Sequence, residues 1–100
     1  MKEAKDHNGQ QMAIFEVANE TYGIQISTIK EIVRMPALTN VPNAPDFLAG
    51  LTNLRNRVLP VIDTRRRLRL EPCEPTDSTR VLVLEGAGST TGIIVDRVRG

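Results

Sequence analysis

Two charged residues, Glu31 and Arg55, lie inside apolar runs of the chain. Glu31 stands between Ile29 and Ile32, and Arg55 follows Leu54. A charge in such a run is costly unless it is paired or faces water. Both side chains can simply lie on the wet faces of their strands, or they can meet across neighbouring strands and mark a recognition edge. In the second arrangement the planar fork of the arginine holds one carboxylate and presents further donors outward.

Residues that perform catalysis or bind metals are few and far apart in this sequence. His7 is the only histidine and lies in the polar N-terminal segment, so no Ser-His or Cys-His pair can be built. Cys73 is the only cysteine, and no EF-hand-like set of carboxylates is present. The glycine-rich stretch at 86–92 lacks the lysine of a phosphate-binding loop and is followed by an apolar β pattern, which predicts a hairpin turn. We expect no catalytic residues, no cofactor and no metal.

Three acidic residues have structural explanations instead of catalytic ones. Glu31 is explained as an ion-pair partner. Asp63 closes the apolar run Val-Leu-Pro-Val-Ile, where its carboxylate can cap a short helical turn that continues to about residue 67. Asp96 follows Ile-Ile-Val as a strand-end residue. The sequence therefore predicts a protein that is not an enzyme.

One basic run begins at Arg65 and ends at Arg69 and contains four arginines. It can contact phosphates, which makes a small β-barrel nucleic-acid-binding module the alternative function. It can equally be a solvated turn in which Leu68 and Leu70 point inward while the arginines extend into water. The net charge of the chain is only +1, and no aromatic platform accompanies the run. We favour the solvated turn and expect no nucleic-acid partner.

The N-terminal half reads as a tail, a hairpin and a proline-rich connection. Residues 1–11 are polar and predict a flexible tail. Apolar residues alternate on both sides of Asn19-Glu20, which predicts a β-hairpin. The pattern from Ile29 to Val33 fits either a strand or one helical turn. Three prolines at 36–45 predict a surface connection, and residues 46–50 resemble a helical turn stopped by Gly50.

The C-terminal half reads as two strand pairs joined by a loop. Residues 51–56 and 58–62 predict short strands with a turn near Asn56-Arg57. Residues 71–78 form a loop, and residues 81–84 and 93–95 predict a last hairpin. Six or seven short strands without a long helix indicate an all-β, barrel-like fold.

Length and composition set the general class of the protein. One hundred residues support one domain, and three aromatic residues leave Ile, Val and Leu to build the core. The single cysteine fits a reducing compartment. No apolar run approaches the ~18 residues of a membrane span, and no signal peptide is present. We expect a cytoplasmic protein that does not insert into a membrane.

An ordered series of motifs resembles one known family. Asn53-Leu54-Arg55 followed by residues 58–63 (Val-Leu-Pro-Val-Ile-Asp) carries the resemblance, with further agreement at 22–24, 29–32, 41–45, Gly50 and 92–98. The sequence is similar to the CheW-like adaptor domains of bacterial chemotaxis, from about residue 12 to its end. The spacing and order of the motifs carry more weight than any one of them.

The resemblance implies a fold, a function and a set of binding residues. The expected fold is a pair of five-stranded, SH3-like barrels. The expected function is a non-catalytic adaptor, or scaffold, that couples the cytoplasmic tips of chemoreceptors to the regulatory domain of the histidine kinase CheA in signal transduction. The same domain can also serve within a larger kinase or receiver-containing coupler. The residues implied on or beside the partner-binding groove are Ile29, Glu31, Gly50, Asn53, Arg55 and Val58.

Two positions depart from the family pattern. Asn56 stands where the family usually has glycine, and asparagine is the next best residue for a left-handed turn. Thr64 stands where an apolar residue is usual, which puts the packing of the short helical turn in doubt.

The resemblance also concerns the end of the chain. Domains of this family normally continue through several more strands beyond the position that matches Gly100. We therefore expect residues 12–100 to form a CheW-like domain with its C-terminal part missing, as a first barrel plus an incomplete second one. The face formed by Val81, Val83 and Ile94 should then lack part of its cover. Open strand edges beside such a face invite self-association.

Overall fold

The computed structural model describes residues 3–5 and 9–99, in which strands are the main regular structure and helix is confined to two short turns. The described residues form nine strands, namely β1 (Glu3–Lys5), β2 (Gln11–Val17), β3 (Glu20–Gln25), β4 (Ile29–Arg34), β5 (Leu48–Leu54), β6 (Arg57–Asp63), β7 (Arg80–Gly86), β8 (Ser89–Val95) and β9 (Arg97–Val98). A 3-10 helix spans Ile26–Thr28 and a single α-helical turn, α1, spans Thr64–Arg67. The region from Ile29 to Val33, which the pattern left open, is therefore a strand.

The hairpin predicted around Asn19 is confirmed as β2 and β3. Alternate residues of β2, Ala13, Phe15 and Val17, are buried, as the period-two pattern requires. The turn consists of Ala18 and Asn19, which both have positive φ (52° and 67°). Two consecutive left-handed residues match the twist of a two-residue hairpin turn. β1 and β9 pair with the other side of β2, which completes a small first sheet.

The second sheet contains five strands in the order β4-β7-β8-β6-β5. The predicted last hairpin is present as β7 and β8, with the turn at Ala87-Gly88. Most pairs are antiparallel, but β6 and β8 run parallel, with Ile62 opposite Ile93. After β4, the edge strand at one end of this order, the chain crosses to β5 at the other end. There Thr39 exchanges two backbone hydrogen bonds with Leu51 (2.8 and 2.9 Å).

The two faces of the second sheet build two separate cores. Leu59, Val61, Val81 and Val83 form the core inside the curl of the sheet. On the outer face, Leu82 and Val95 pack against Phe15 and Val17 of the first sheet. Because successive side chains of a strand point to opposite faces, β7 contributes to both cores. The first sheet is thus a second layer that covers one side of the five-stranded sheet.

The expectation that Val81, Val83 and Ile94 lack cover is wrong. Val81 and Val83 are fully buried, and Ile94 is half-buried. The reason is the parallel pairing of β8 with β6, which places the last hairpin in the middle of the five-stranded sheet. Self-association through this face therefore loses its physical motivation.

The loose-tail prediction for residues 1–11 is wrong where the structure describes this segment. Glu3–Lys5 forms β1 and pairs with residues 11–13 of β2, so Gln11 is also in a strand. Backbone hydrogen bonding in a ladder offsets the low apolar content of the segment. Residues 1–2 and 6–8 lie outside the described part of the chain.

The helical turn predicted at 46–50 is also wrong. Leu48 already begins β5, and Gly50 lies in the strand beside a bulge in its pairing with β6. The hydrogen bond from Leu48 N to the carbonyl of Pro45 closes a tight turn there instead, and the bond from Asp63 N to the carbonyl of Phe47 ties this turn to the end of β6. Long-range pairing with Thr39 and β6 overrides the local helical pattern.

The cap predicted at Asp63 is confirmed. Its side chain accepts a hydrogen bond from the backbone N–H of Arg66 (3.3 Å), three residues later, and α1 begins at Thr64. The departure from the family at Thr64 has a visible consequence. The Oγ1 atom of Thr64 is buried and has no hydrogen-bond partner among the described residues.

Replacing Thr64 with valine should stabilise the protein by about 1 kcal/mol, because an unpaired buried hydroxyl forfeits its hydration without compensation. Thr79 provides the matched control, since it is buried and its hydroxyl accepts the N–H of Thr76 at 2.8 Å. Thr79→Val should destabilise the protein by about the same amount. Urea denaturation of the two variants measures both signs. A loss of stability in Thr64→Val would contradict this account.

Candidate partner-binding site

The ion pair predicted between Glu31 and Arg55 is present. The Nε of Arg55 donates to both carboxylate oxygens of Glu31, at 2.9 and 3.3 Å. Glu31 lies on β4 and Arg55 follows β5, and these strands are the two edges of the five-stranded sheet. The sequence predicted that the pair joins neighbouring strands, and this detail is wrong. The pair joins opposite edges, which the curl of the sheet brings face to face.

A tight turn presents Arg55 at the tip of the β5–β6 hairpin. Leu54 pairs with Arg57, so Arg55 and Asn56 form a two-residue turn with φ values of 52° and 64°. Asparagine tolerates this left-handed conformation better than most residues. The departure from the family at Asn56 is thus accommodated, and the hairpin holds Arg55 at a defined position.

The groups around Arg55 face solvent. Its side chain is 76% exposed, and its two terminal amino groups make no hydrogen bond or ion pair with the described residues. Val58, on the adjacent strand, is 66% exposed, which is unusual for a large apolar side chain in a strand. Asn53 lies directly opposite Val58 in the register and is exposed. Glu31, Asn53, Arg55 and Val58 therefore belong to one end of the curled sheet.

The other two predicted site residues lie below this surface. Gly50 is buried, and a Cβ atom at this position would lie 2.7 Å from the carbonyl oxygen of Thr39. Ile29 is half-buried and lies where the 3-10 helix ends and β4 begins. Their contacts support the scaffold on which the exposed residues stand.

A second set of charges at the same end of the sheet was not found from the sequence. Glu85 lies 3.6 Å from both Lys30 Nζ and Arg57 Nη1, and Arg57 Nη2 donates to Thr90 Oγ1 at 2.9 Å. The positive charge of Lys30 is the main reason that the pKa of Glu85 lies below its ordinary value. These four residues come from four different strands, so only the strand order reveals that they meet.

The basic run from Arg65 to Arg69 is mostly engaged within the protein. Arg65 pairs with Asp96 at 2.6 Å, Arg66 pairs with Asp63 at 3.5 Å, and the guanidinium of Arg67 lies 5.2 Å from the centre of the Phe47 ring. The prediction that Leu68 points inward is wrong, because this side chain is exposed, whereas Leu70 packs against the outer core. The nucleic-acid alternative therefore gains no support.

Asp96 does more than end a strand. Its carboxylate accepts hydrogen bonds from Arg65 Nε (3.2 Å), Arg65 Nη2 (2.6 Å) and the backbone N–H of Ala18 (2.8 Å). The hydrogen bonds from Arg65 and from the backbone of Ala18 hold the pKa of Asp96 below its ordinary value, although desolvation of the carboxylate partly opposes them. One carboxylate thus ties α1 to the turn of the first sheet.

Within residues 3–5 and 9–99, no group of three or more His, Cys, Asp and Glu side chains is arranged to hold a metal ion. No helix in the same part of the chain is long and apolar enough to cross a membrane. His7 lies outside the described residues.

The two sheets form a small, all-β fold of the SH3-like class, as the family resemblance implied. Residues 11–100 match the family model of the CheW-like domain. The chain belongs to the CheW-like domain family, and the resemblance seen in its motifs is confirmed.

Relatives and a solved structure agree with this assignment. The chain is 39% identical to the chemotaxis protein CheW of Klebsiella aerogenes over 90 residues and 37% identical to that of Bacillus subtilis over 93 residues. These alignments cover 90% and 93% of the chain but only 54% and 60% of the relatives. The crystal structure of the scaffolding protein TtCheW from Thermoanaerobacter tengcongensis is similar, with a TM-score of 0.85 and 32% identity over 90% of this chain and 62% of that one. The chain thus spans somewhat more than half the length of these proteins.

Proposed function

We propose that this chain provides the docking surface of a non-catalytic, cytoplasmic adaptor. The adaptor couples the cytoplasmic tip of chemoreceptors to the regulatory domain of the histidine kinase CheA. The names of the relatives, chemotaxis protein CheW and scaffolding protein TtCheW, support a role in chemotactic signalling. The surface proposed for docking contains Asn53, Arg55 and Val58.

The observation that carries the proposal is that the side chain of Arg55 is both exposed and oriented by Glu31. Glu31 bonds to its Nε, so the side chain is oriented while neither terminal amino group donates a hydrogen bond to that partner. An oriented and exposed arginine matches the energetically important positions of protein interfaces, in which arginine is enriched. Val58, which is 66% exposed, adds apolar area that a partner can cover. The tight turn at Asn56 limits the conformational entropy that binding must remove.

The remaining predicted residues act through the scaffold. Glu31 fixes the direction of Arg55, while Ile29 and Gly50 set the path of the two edge strands. Glu31 is therefore proposed as a positioning residue. Its loss should weaken binding less than the loss of Arg55.

Arg55→Ala should weaken binding to the kinase regulatory domain or the receptor tip by about tenfold, the effect of an interface arginine worth somewhat more than 1 kcal/mol. Glu31→Ala should weaken it by a smaller factor. Both variants should keep their fold, since an exposed ion pair contributes only about 0.2–1 kcal/mol to stability. Biolayer interferometry against each purified partner, with circular dichroism as the fold control, measures these effects.

The matched control is Arg34→Ala. Arg34 is an exposed arginine at the opposite end of β4, so its removal changes the net charge equally but leaves the proposed surface intact. Unchanged binding of Arg55→Ala and Glu31→Ala to both partners would reject this surface. Failure of the unaltered protein to bind either partner would reject the adaptor function.

A further inference from the structure

A continuous row of polar side chains crosses one end of the five-stranded sheet. Four strands that are neighbours in the sheet, β4, β7, β8 and β6, contribute Lys30, Glu85, Thr90 and Arg57 in that order. Glu85 and Thr90 face each other in the register and are linked at 3.3 Å. Arg57 contacts both of them, at 3.6 Å from Glu85 and 2.9 Å from Thr90.

The Glu31–Arg55 pair borders the same shallow cavity as Lys30, Arg57 and Thr90 of this row. We call the six residues together the polar ring (Lys30, Glu31, Arg55, Arg57, Glu85 and Thr90). Five of these residues, all except Glu85, line a shallow cavity of about 40 Å³. The floor of the cavity is apolar and consists of Leu54, Leu59 and Val83. A space of this size holds one small polar group, such as a water molecule or one carboxylate oxygen.

The polar ring contains three cations and two carboxylates, so one positive charge is in excess. Glu85 is shared between Lys30 and Arg57, and both nitrogens lie 3.6 Å from its Oε2 atom. Charge-assisted hydrogen bonds are usually about 2.7–2.9 Å long, so neither cation is tightly held. Arg57 is also 52% exposed, which leaves its guanidinium accessible from solvent.

We propose that the polar ring receives an aspartate or glutamate side chain of the docked protein partner, and that Arg57 is the residue that selects it. This inference rests on the proposed adaptor function and adds the chemistry of the partner. The incoming carboxylate supplies the missing negative charge, and Arg57 offers it a planar pair of donors. The apolar floor then contacts the apolar part of the same partner segment.

The charge balance favours a single carboxylate over a phosphate. A phosphomonoester brings close to two negative charges into a ring that already contains Glu31 and Glu85, whereas one carboxylate neutralises the excess. A phosphodiester brings one charge, as a carboxylate does, so an oligonucleotide probe distinguishes these two ligands. A partner that carries lysine or arginine at this place meets the excess positive charge and is rejected. The ring therefore acts on specificity as well as affinity.

Three single variants test the inference by the sign of their effects on binding to the kinase regulatory domain and the receptor tip. Arg57→Ala should weaken binding to the partner about five- to tenfold and reduce its salt dependence, because a charge pair across the interface is lost. Glu85→Gln should strengthen binding about two- to fivefold, because it releases Arg57 and raises the excess charge. Arg34→Ala, far from the polar ring on β4, should change binding by less than about twofold. The measurement is interferometry at three salt concentrations.

The signs separate this inference from its competitors. A purely structural role of the Arg57–Glu85 contact would make both Arg57→Ala and Glu85→Gln bind more weakly. This result, or unchanged binding of both variants, overturns the inference but leaves the adaptor function intact. If the unaltered protein binds neither partner, the proposed function fails and the inference with it. A labelled single-stranded oligonucleotide serves as a further probe. Binding of this probe that is lost in Arg57→Ala would assign the ring to phosphates and overturn the carboxylate proposal.

Discussion

Gly50→Ala should lower the free energy of unfolding by about 3 kcal/mol, the sum expected from backbone strain of about 1–3 kcal/mol and a steric clash of similar size. Gly50 has a φ of 155°, a conformation that residues with a Cβ rarely adopt. A Cβ atom would also lie 2.7 Å from the carbonyl oxygen of Thr39 and 3.1 Å from the Cβ of Leu38. The carbonyl of Thr39 cannot move away without weakening a hydrogen bond, since it accepts the N–H of Leu51 at 2.9 Å.

Gly86→Ala is the matched control for this substitution. Gly86 ends β7, has no positive φ, and has no atom within 4 Å of the position that a Cβ would take. Its replacement should change the stability by less than about 0.5 kcal/mol. Urea denaturation followed by far-ultraviolet circular dichroism gives both values. Equal stabilities of the two variants would show that the Thr39–Leu51 crossing is not a rigid element.

The same residue shows where reasoning from sequence stops. The local run that ends at Gly50 has the pattern of a short helical turn closed by glycine, and the structure makes it a strand. The conformation depends on Thr39 and on the bulged pairing with β6, which lie outside that run. A local pattern contains no information about which distant backbone will approach a glycine.

Other features were predictable because their causes are local. The hairpin of β2 and β3 follows from alternation that places Phe15 and Val17 on one face, and the cap at Asp63 follows from a carboxylate after an apolar run. The Glu31–Arg55 pair was one of the two arrangements that the sequence left open, because an isolated charge within an apolar run must be paired or face water. The sequence did not reveal that the curl of the whole sheet brings these two residues together.

The features that were missed depend on strand order. The polar ring exists because β8 lies between β7 and β6, a parallel arrangement that the sequence does not signal. The burial of Val81 and Val83 has the same origin. Contacts between distant segments decide these features, so periodicity and turn signals are silent about them.

Asp96 also makes contacts between segments that are far apart in the sequence. Its replacement should have the second large effect on the free energy of unfolding. Asp96 lies 78 residues from Ala18 and 31 residues from Arg65, yet it bonds to both. Ala18 has a positive φ, which is unfavourable for alanine, and the bond from its N–H to Asp96 helps to hold this turn. The carboxylate thus fixes the first sheet against the five-stranded sheet.

Asp96→Asn should lower the free energy of unfolding at pH 7 by about 2 kcal/mol. This value lies between about 0.2–1 kcal/mol for exposed ion pairs and about 3–5 kcal/mol for breaking buried ones. The side chains of Arg65 and Asp96 are 19% and 34% exposed, which places the pair between these limits. Asp77→Asn is the control, since Asp77 is exposed, and it should cost less than about 0.5 kcal/mol.

The dependence of this effect on pH provides a sharper test than its size. Folding lowers the pKa of Asp96, so the stabilisation is fully present above the ordinary aspartate pKa of about 3.9 and is lost as the pH falls through the lower pKa of the folded protein. The difference in stability between the unaltered protein and Asp96→Asn should therefore stay constant from pH 7 to about pH 5 and shrink below about pH 4. Arg65 stays charged throughout this range, so only the carboxylate titrates. A difference that does not shrink in acid would show that the amide disrupts packing and that the charge of Asp96 does not join the two sheets.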